Sequence, residues 1–122
     1  MNSAAIIAGH ATRQPDKVAI DGPAETITYA ELDGIVRGIA LGLMRNGVGA
    51  GDLVAICMRD SGRHVASLIA TMRLGAVILP VDWRAAPAEM ERMVARFAPR
   101  VFLTDDGTLP PLSVPTVDVA DL

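Results

Sequence analysis

Three short apolar segments, separated by sequences with helical periodicity, constrain the fold of this chain more than any other feature. They span Leu53–Met58, Val77–Val81 and Val101–Thr104. Apolar residues run through each segment without polar alternation, which is typical of parallel strands covered on both faces. Parallel strands need long crossover connections, usually helices. The order strand–helix–strand–helix–strand therefore predicts the α/β class, with a mainly parallel sheet flanked by helices.

Helix start signals lie between the apolar segments. Thr28 and Glu31 have the T-x-x-E spacing of a capping box. Asp60 or Ser61 can cap the next helix, and Pro87 suits the first turn of another. The predicted inner faces of the three helices are Leu32, Ile35, Val36, Ile39 and Leu43; Val65, Leu68, Ile69 and Met72; and Met90, Met93, Val94 and Phe97.

The two ends of the chain carry weaker signals. Ser3 can cap a first helix. The segments Val18–Asp21 and Thr26–Tyr29 flank a Gly-Pro-Ala turn and are predicted to form a hairpin. Residues 108–122 are a proline-rich tail, in which Val114–Val119 is expected to form a last strand.

The composition suits a single α/β domain, or part of one, over residues 1–122. Apolar residues make up 51% of the chain and aromatic residues 3%, so aliphatic side chains must build the core. The net charge of −3 argues against a nucleic-acid partner. No apolar stretch approaches the roughly 20 residues of a membrane span, and the N-terminus lacks the basic region of a signal peptide. Because the single Cys57 has no intrachain disulfide partner, we expect a reducing, cytoplasmic location.

Motifs for catalysis or metal binding are missing. The glycines of residues 47–52 resemble a dinucleotide loop, but they follow a helix and precede a strand, the reverse of the order that such a loop needs. Lys17 is the only lysine and lies in no phosphate-binding motif. His10 and His64 lack a second ligand at metal spacing, and Cys57 is expected to be an inert buried thiol. The sequence predicts no catalytic residue and no metal site.

One polar group follows the second apolar segment. Asp82, Trp83 and Arg84 emerge at the carboxyl end of the predicted strand, where open α/β sheets bind their ligands. An arginine beside an aromatic ring can bind a phosphate or a carboxylate. Alternatively, Arg84 pairs with Asp82 or Glu89 at the surface, where an ion pair contributes little. Both interpretations stay open from the residues alone, and Arg84 is the candidate site residue.

Four segments carry motifs whose order and spacing are shared with a known superfamily. Residues 14–20 read QPDKVAI, residues 27–32 match a TYxEL signature, and residues 47–56 match GVxxGDxVAI. Residues 73–89 are similar to KxGAVxxPLNxRLxxxE. Together they resemble the N-terminal part of adenylate-forming (AMP-binding) enzymes, the superfamily of acyl-CoA synthetases, peptide-synthetase adenylation domains and firefly luciferase. The resemblance covers about residues 4–107.

The resemblance implies a larger parent enzyme. Such a parent uses ATP and Mg²⁺ to convert a carboxylic acid to an acyl adenylate and transfers the acyl group to CoA, a ligase chemistry used in fatty acid metabolism. In this superfamily the segment is scaffold, and the ATP site and catalytic lysine lie further along. We therefore expect the chain alone to bind no cofactor and to be inactive. Its expected partner is the remainder of the parent or a companion chain.

The resemblance also implies a role for Arg84. In several acyl-CoA ligases the arginine of this motif lies near the phosphates of the CoA nucleotide, so we expect a CoA phosphate contact here. The match is imperfect, because Asp82 replaces the common Asn, and Ala85 and Ala86 replace the common Leu-Thr. An acidic residue at position 82 also resembles the amino-acid-activating branch, which leaves the choice of branch open.

Two other functions are weighed against this one. The first is a stand-alone, non-enzymatic α/β interaction module, a split or decayed relative of the superfamily. Such a module would expose apolar surface that the parent covers, which allows a homodimer. The second is a receiver-type domain, which needs clustered acidic residues at strand ends and a late lysine that this sequence does not supply.

Overall fold

The computed structural model describes residues 3–122. Two strands form an antiparallel hairpin, and the other four form a parallel sheet in the order β4-β3-β5-β6. The predicted α/β class is confirmed. Along the chain the elements are α1 (Ala5–Arg13), β1 (Val18–Asp21), β2 (Thr26–Thr28), α2 (Tyr29–Arg45), β3 (Leu53–Cys57), α3 (Gly62–Arg73), β4 (Val77–Pro80), α4 (Pro87–Phe97), β5 (Val101–Thr104), β6 (Thr116–Asp118) and a 3₁₀ helix (Val119–Asp121).

Helix α2 begins with the predicted capping box. The Glu31 backbone N–H donates to Thr28 Oγ1 at 3.2 Å, and the Thr28 backbone N–H donates to Glu31 Oε1 at 3.2 Å. The prediction that Ser3 caps α1 is wrong. The residue before α1 is Ala4, which has no side-chain cap, and the Ser3 carbonyl accepts the Ile6 N–H at 3.1 Å. At this helix end a backbone carbonyl, and not a side-chain hydroxyl, therefore accepts one of the free amide hydrogens.

The sheet separates two apolar clusters, one on each face. The larger cluster joins side chains of α2, such as Val36 and Leu43, to alternate residues of β3 and β5, such as Ile56 and Leu103. The smaller cluster packs α4 and the 109–114 segment against the opposite sheet face. Burying an aliphatic or aromatic side chain of this size stabilises a fold by roughly 1.5–3 kcal/mol. These two clusters hold the strands between helical layers.

The predicted inner face of α3 is confirmed in part. Ile69 is buried in the larger cluster, and Leu68 and Met72 are partly buried against it, but Val65 is 39% exposed. The buried face also includes the small residues Ala66, Ser67, Ala70 and Thr71. The two hydroxyls are satisfied within the helix, since Ser67 donates to the Arg63 carbonyl at 2.7 Å and Thr71 donates to the Ser67 carbonyl at 2.8 Å. Small side chains let helices approach closely, so the buried face of α3 is less apolar than periodicity alone suggests.

The ends of α4 and β4 are also more exposed than predicted. Phe97, assigned to the inner face of α4, is 45% exposed. Val77 is 52% exposed because β4 is an edge strand with one strand neighbour. The expectation that every apolar segment is covered on both faces is thus wrong for β4, although it holds for β5, where all four residues are buried.

The proline-rich tail crosses the α4 face of the sheet before it forms the last strand. Leu109, Leu112 and Val114 pack against the α4 cluster. The strand itself is shorter than the predicted Val114–Val119, because the chain turns into the 3₁₀ helix at Val119. Of the helices within residues 3–122, none is long and apolar enough to cross a bilayer.

Candidate functional site

The carboxyl ends of the parallel strands form the edge at which a ligand site is expected. The chain runs from β3 to β4 on one side of β3, and then crosses to β5 on its other side. In open α/β sheets ligands bind where the order of strands reverses in this way. The loops that follow β3, β4 and β5 contain Arg59, Trp83 and Asp105, respectively. Together with Asp106, we call these residues the carboxyl-edge cluster.

Contacts within the carboxyl-edge cluster close the crevice. The Arg59 guanidinium carbon lies 5.1 Å from the Trp83 ring centroid, a cation–π distance. The Arg59 backbone N–H donates to Asp105 Oδ2 at 3.2 Å. The cavity between these residues, Cys57 and Met90 has a volume of only about 20 Å³. The crevice is therefore filled by the protein's own side chains, which suits a structural role.

Arg84 lies beside this cluster and is held by its own loop. Its Nε and one terminal nitrogen each donate to the Asp82 carboxylate at 3.1 Å, and its backbone N–H donates to the same carboxylate at 2.9 Å. The hydrogen bonds from Arg84 lower the pKa of the Asp82 carboxyl, and those to Asp82 raise the pKa of Arg84. Of the two partners considered for Arg84, the structure selects Asp82.

The pair leaves Arg84 accessible to an external anion. The side chains of Arg84 and Asp82 are 72% and 54% exposed, so water screens their attraction. A guanidinium that already binds a carboxylate through two nitrogens has the geometry to bind a phosphate oxygen pair in its place. An external anion can therefore replace the Asp82 carboxylate as the partner of Arg84. The loop supplies no general acid, base or nucleophile.

Sequence reasoning missed Arg59 because its aromatic partner follows a different strand. Arg59 is the second residue after β3, so the rule that pointed to Asp82, Trp83 and Arg84 after β4 also applies to it. The sequence does not show that β3 and β4 are neighbours in the sheet. This adjacency places the Arg59 guanidinium over the Trp83 ring.

The acidic segment after β5 forms a turn. The Asp106 carboxylate accepts the Thr108 side-chain and backbone hydrogens, which lowers the pKa of Asp106. The Asp106 N–H donates to Thr104 Oγ1 at 3.0 Å. A Cβ on Gly107 would lie 2.8 Å from an Asp118 carboxylate oxygen, so the turn packs closely on β6. Within residues 3–122 no group of three or more His, Cys, Asp or Glu side chains is placed to hold a metal.

Cys57 has the chemistry of a structural residue. Burial is the main cause that raises the pKa of its thiol to about 11, and the neighbouring carboxylates of Asp105, Asp82 and Asp106 add to the shift. At neutral pH the thiol is therefore protonated and a weak nucleophile. His10 lies near Gln14 and Tyr29, and His64 lies near Asp60, so neither belongs to the carboxyl-edge cluster.

The described residues offer ATP and Mg²⁺ no phosphate loop. The glycines of residues 47–52 lie between α2 and β3, at the amino edge of the sheet. Gly47 and Gly51 have φ angles of 84° and 82°, which L-residues rarely adopt, and the Gly51 N–H donates to the Gly75 carbonyl at 2.9 Å. This segment is the plain helix-to-strand connection that its position in the sequence predicts. Lys17 lies between α1 and β1.

Comparison with known proteins places the chain in a family. The model of the family described as AMP-binding enzyme matches residues 7–121. The chain is 41% identical over 108 residues to naringenin synthase of Pestalotiopsis fici, covering 88% of this chain and 4% of that protein. It is 35% identical over 96 residues to indoleacetate–CoA ligase of Aromatoleum aromaticum, covering 79% of this chain and 19% of the ligase. The chain thus spans less than a fifth of the length of these relatives.

A solved structure agrees with the sequence matches. The N-terminal subdomain of Klebsiella oxytoca NpsA, in complex with 3-hydroxyanthranilyl-AMSN, superposes with a TM-score of 0.86 at 26% identity. The superposition covers 98% of this chain and 31% of that subdomain. The resemblance predicted from the four sequence segments is confirmed. The chain belongs to the family of AMP-binding enzymes.

Proposed function

We propose that this chain is the N-terminal scaffold of a larger AMP-forming acid–thiol ligase. In the proposed reaction a carboxylate oxygen attacks the α-phosphorus of ATP and pyrophosphate leaves, which yields an acyl adenylate. The thiol of CoA then attacks the acyl carbon and AMP leaves. The observation that supports this most is the match of residues 7–121 to the AMP-binding enzyme family. The closed crevice at the carboxyl edge agrees with a scaffold role.

The names of two matched proteins support a proposal for the substrate class. One relative is an indoleacetate–CoA ligase, and the solved NpsA subdomain holds a 3-hydroxyanthranilyl compound. Both names contain an aromatic acid or acyl group. We therefore propose an aromatic carboxylic acid as substrate, and fatty acids, which the broader superfamily also uses, as competitors in the test. A reducing cytoplasm is the proposed location, since Cys57 is buried and unpaired.

Acid-dependent exchange of labelled pyrophosphate into ATP tests the proposal. The full-length protein is expected to catalyse exchange with an aromatic acid, and the 122-residue chain to catalyse none. Failure of the full-length protein with every aromatic, aliphatic and amino acid would contradict the ligase function. Exchange by the purified chain alone would contradict the assignment of this segment as scaffold.

Arg84 is proposed to contact a phosphate of CoA by exchanging its Asp82 partner. Arg84→Ala is expected to raise KM for CoA by roughly 3- to 10-fold, the loss of one exposed charge-assisted contact. It should leave pyrophosphate exchange unchanged, since that half-reaction needs no thiol. Arg96→Ala is the matched control, because Arg96 is an exposed arginine that stacks on Phe97. Equal KM values for the two variants would rule out the CoA contact.

A non-enzymatic interaction module is the alternative, and exposed apolar side chains favour it. Leu41 and Met44 project from α2, and Val77 projects from the β4 edge. A homodimer would bury such side chains. Sedimentation of the purified chain over a hundredfold concentration range tests this alternative, and a monomer throughout would contradict it.

A further inference from the structure

The Asp82–Arg84 pair places a negative charge inside the anion site proposed for Arg84. Both residues belong to the loop after β4, in which the Ala85 N–H also donates to the Asp82 carbonyl at 3.0 Å. The Asp82 carboxylate accepts the Arg84 backbone N–H at 2.9 Å and two guanidinium N–H groups at 3.1 Å. Arg84 is therefore already bound to an anion that the chain itself supplies.

The loop keeps this carboxylate near Arg84 whether or not the pair is formed, because only Trp83 separates the two residues in the chain. A phosphate that displaces Asp82 leaves an ionised carboxylate beside the site, and two negative charges at such short distances repel each other. A phosphate that binds instead to the guanidinium N–H groups that the pair leaves free meets the same repulsion. In both cases Asp82 weakens the binding of a phosphate.

Asp82 differs from the other carboxylates of this sheet edge in its contact with Arg84. The hydrogen bonds from Arg84 lower the pKa of Asp82, so its carboxyl is ionised at neutral pH. Asp105 lies at the same edge, since it and Asp82 both raise the pKa of the Cys57 thiol. The Asp105 carboxylate accepts the Arg59 backbone N–H at 3.2 Å and forms no hydrogen bond with Arg84 among the described residues. Asp105 thus supplies a matched comparison.

We propose that Asp82 is a specificity-determining residue that weakens the binding of phosphate-bearing thiols at Arg84. CoA carries phosphate groups on its nucleotide part, whereas pantetheine, the thiol-bearing part of CoA, carries none. The Asp82 carboxylate therefore lowers the preference of the enzyme for CoA over pantetheine. This proposal rests on the proposed function, in which Arg84 contacts a phosphate of CoA.

A comparison of the two thiols as acyl acceptors of the full-length protein tests the proposal. The measured quantity is kcat/KM for CoA divided by kcat/KM for pantetheine, a ratio that does not depend on the fraction of active enzyme. Asp82→Asn removes the charge and keeps an oxygen that can accept the Arg84 backbone N–H. The ratio is expected to rise roughly 3- to 10-fold, with kcat/KM for pantetheine unchanged. An unchanged or lower ratio would overturn the proposal.

Two further variants separate the contact with Arg84 from the general charge of the sheet edge. Asp105→Asn removes an exposed carboxylate that does not bind Arg84, and it is expected to change the ratio by less than roughly 2-fold. In an Arg84→Ala background, Asp82→Asn is expected to lose most of its effect, because no guanidinium is left to release. An effect of Asp105→Asn as large as that of Asp82→Asn, or an Asp82→Asn effect that persists without Arg84, would contradict the proposed contact.

Equilibrium binding supplies a second measurement that needs no thiol transfer. Adenosine 3′,5′-bisphosphate, a phosphate-bearing part of the CoA nucleotide, is titrated calorimetrically into the full-length protein. Asp82→Asn is expected to lower its Kd roughly 3- to 10-fold, and added salt to reduce the difference. Equal Kd values, or no binding to either protein, would overturn the role of Asp82 and leave the proposed function intact. Inactivity in pyrophosphate exchange with every acid would instead count against the function.

Discussion

Three glycines on successive turns of α2 allow a test of how closely the chain's last residue packs. Gly34, Gly38 and Gly42 are spaced four residues apart. Alanine is favoured over glycine in a helix interior by about 1 kcal/mol. A Cβ at position 34 or 38 would meet no heavy atom within 4 Å. Gly34→Ala and Gly38→Ala are therefore expected to raise the free energy of unfolding by about 0.5–1 kcal/mol.

Gly42→Ala is expected to behave differently because of Leu122. The new Cβ would lie 2.5 Å from the Leu122 Cδ2 atom and 2.9 Å from its Cβ, so Leu122 must move. Leu122 is partly buried against the larger apolar cluster, and losing that packing costs about 1–2 kcal/mol. This cost cancels or exceeds the helix gain. Gly42→Ala should thus be about 1–2 kcal/mol less stable than Gly38→Ala.

Urea unfolding of the 122-residue chain, followed by circular dichroism, measures these differences. A double-mutant cycle isolates their cause. In a Leu122→Gly background, which also removes the Leu122 Cβ, the clash is absent, and Gly42→Ala should recover a gain close to that of Gly38→Ala. If Gly42→Ala stabilises the chain as much as Gly38→Ala does when Leu122 is present, the close contact is refuted.

Three further predictions concern capping, the hairpin and the thiol. Thr28→Ala removes the capping box with Glu31 and should cost about 0.5–2 kcal/mol in thermal or urea unfolding; no loss would contradict the role of the cap. Glu25→Gln weakens the charge-assisted hydrogen bond from the Gly62 N–H at the start of α3, and should speed amide exchange at Gly62 without changing exchange in β5. Because the pKa of Cys57 is raised from 9.0 to about 11, stability is unaffected by this group below pH 9, where both states are protonated. It should fall as pH rises from about 9 to 11, where only the unfolded thiol ionises. Cys57→Ser should remove that fall, and an unchanged pH profile would show that other groups cause it.

Much of the fold was predictable because its signals are local. The capping box of Thr28 and Glu31, the proline at the start of α4 and the uninterrupted apolar segments each act over a few residues. Packing was less predictable. Helix α3 buries the predicted Ile69 but not Val65, and it also buries Ala66 and Ala70. Small side chains allow the helix to approach its neighbours closely, and periodicity does not predict that approach.

The candidate site, like the fold, was predictable where its signals are local and not where it depends on packing. The position of Arg84 at a strand's carboxyl end follows from the sequence, because a strand and the loop after it are contiguous. Its choice of Asp82 as partner and the stacking of Arg59 on Trp83 depend on loop geometry and on which strands are neighbours. The CoA phosphate contact of Arg84, which the resemblance implies, stays a prediction.

By itself, the sequence determined the α/β class and the membership of a family of AMP-binding enzymes, since periodicity, caps and motif spacing are properties of neighbouring residues. Only the tertiary structure decided the order β4-β3-β5-β6, and with it the closed crevice at the carboxyl edge and the edge positions of β4 and β6. The physical reason is that strand adjacency is set by long-range packing of both sheet faces. Segments that read alike in the sequence can therefore become a fully buried strand, as in β5, or an exposed edge, as in β4.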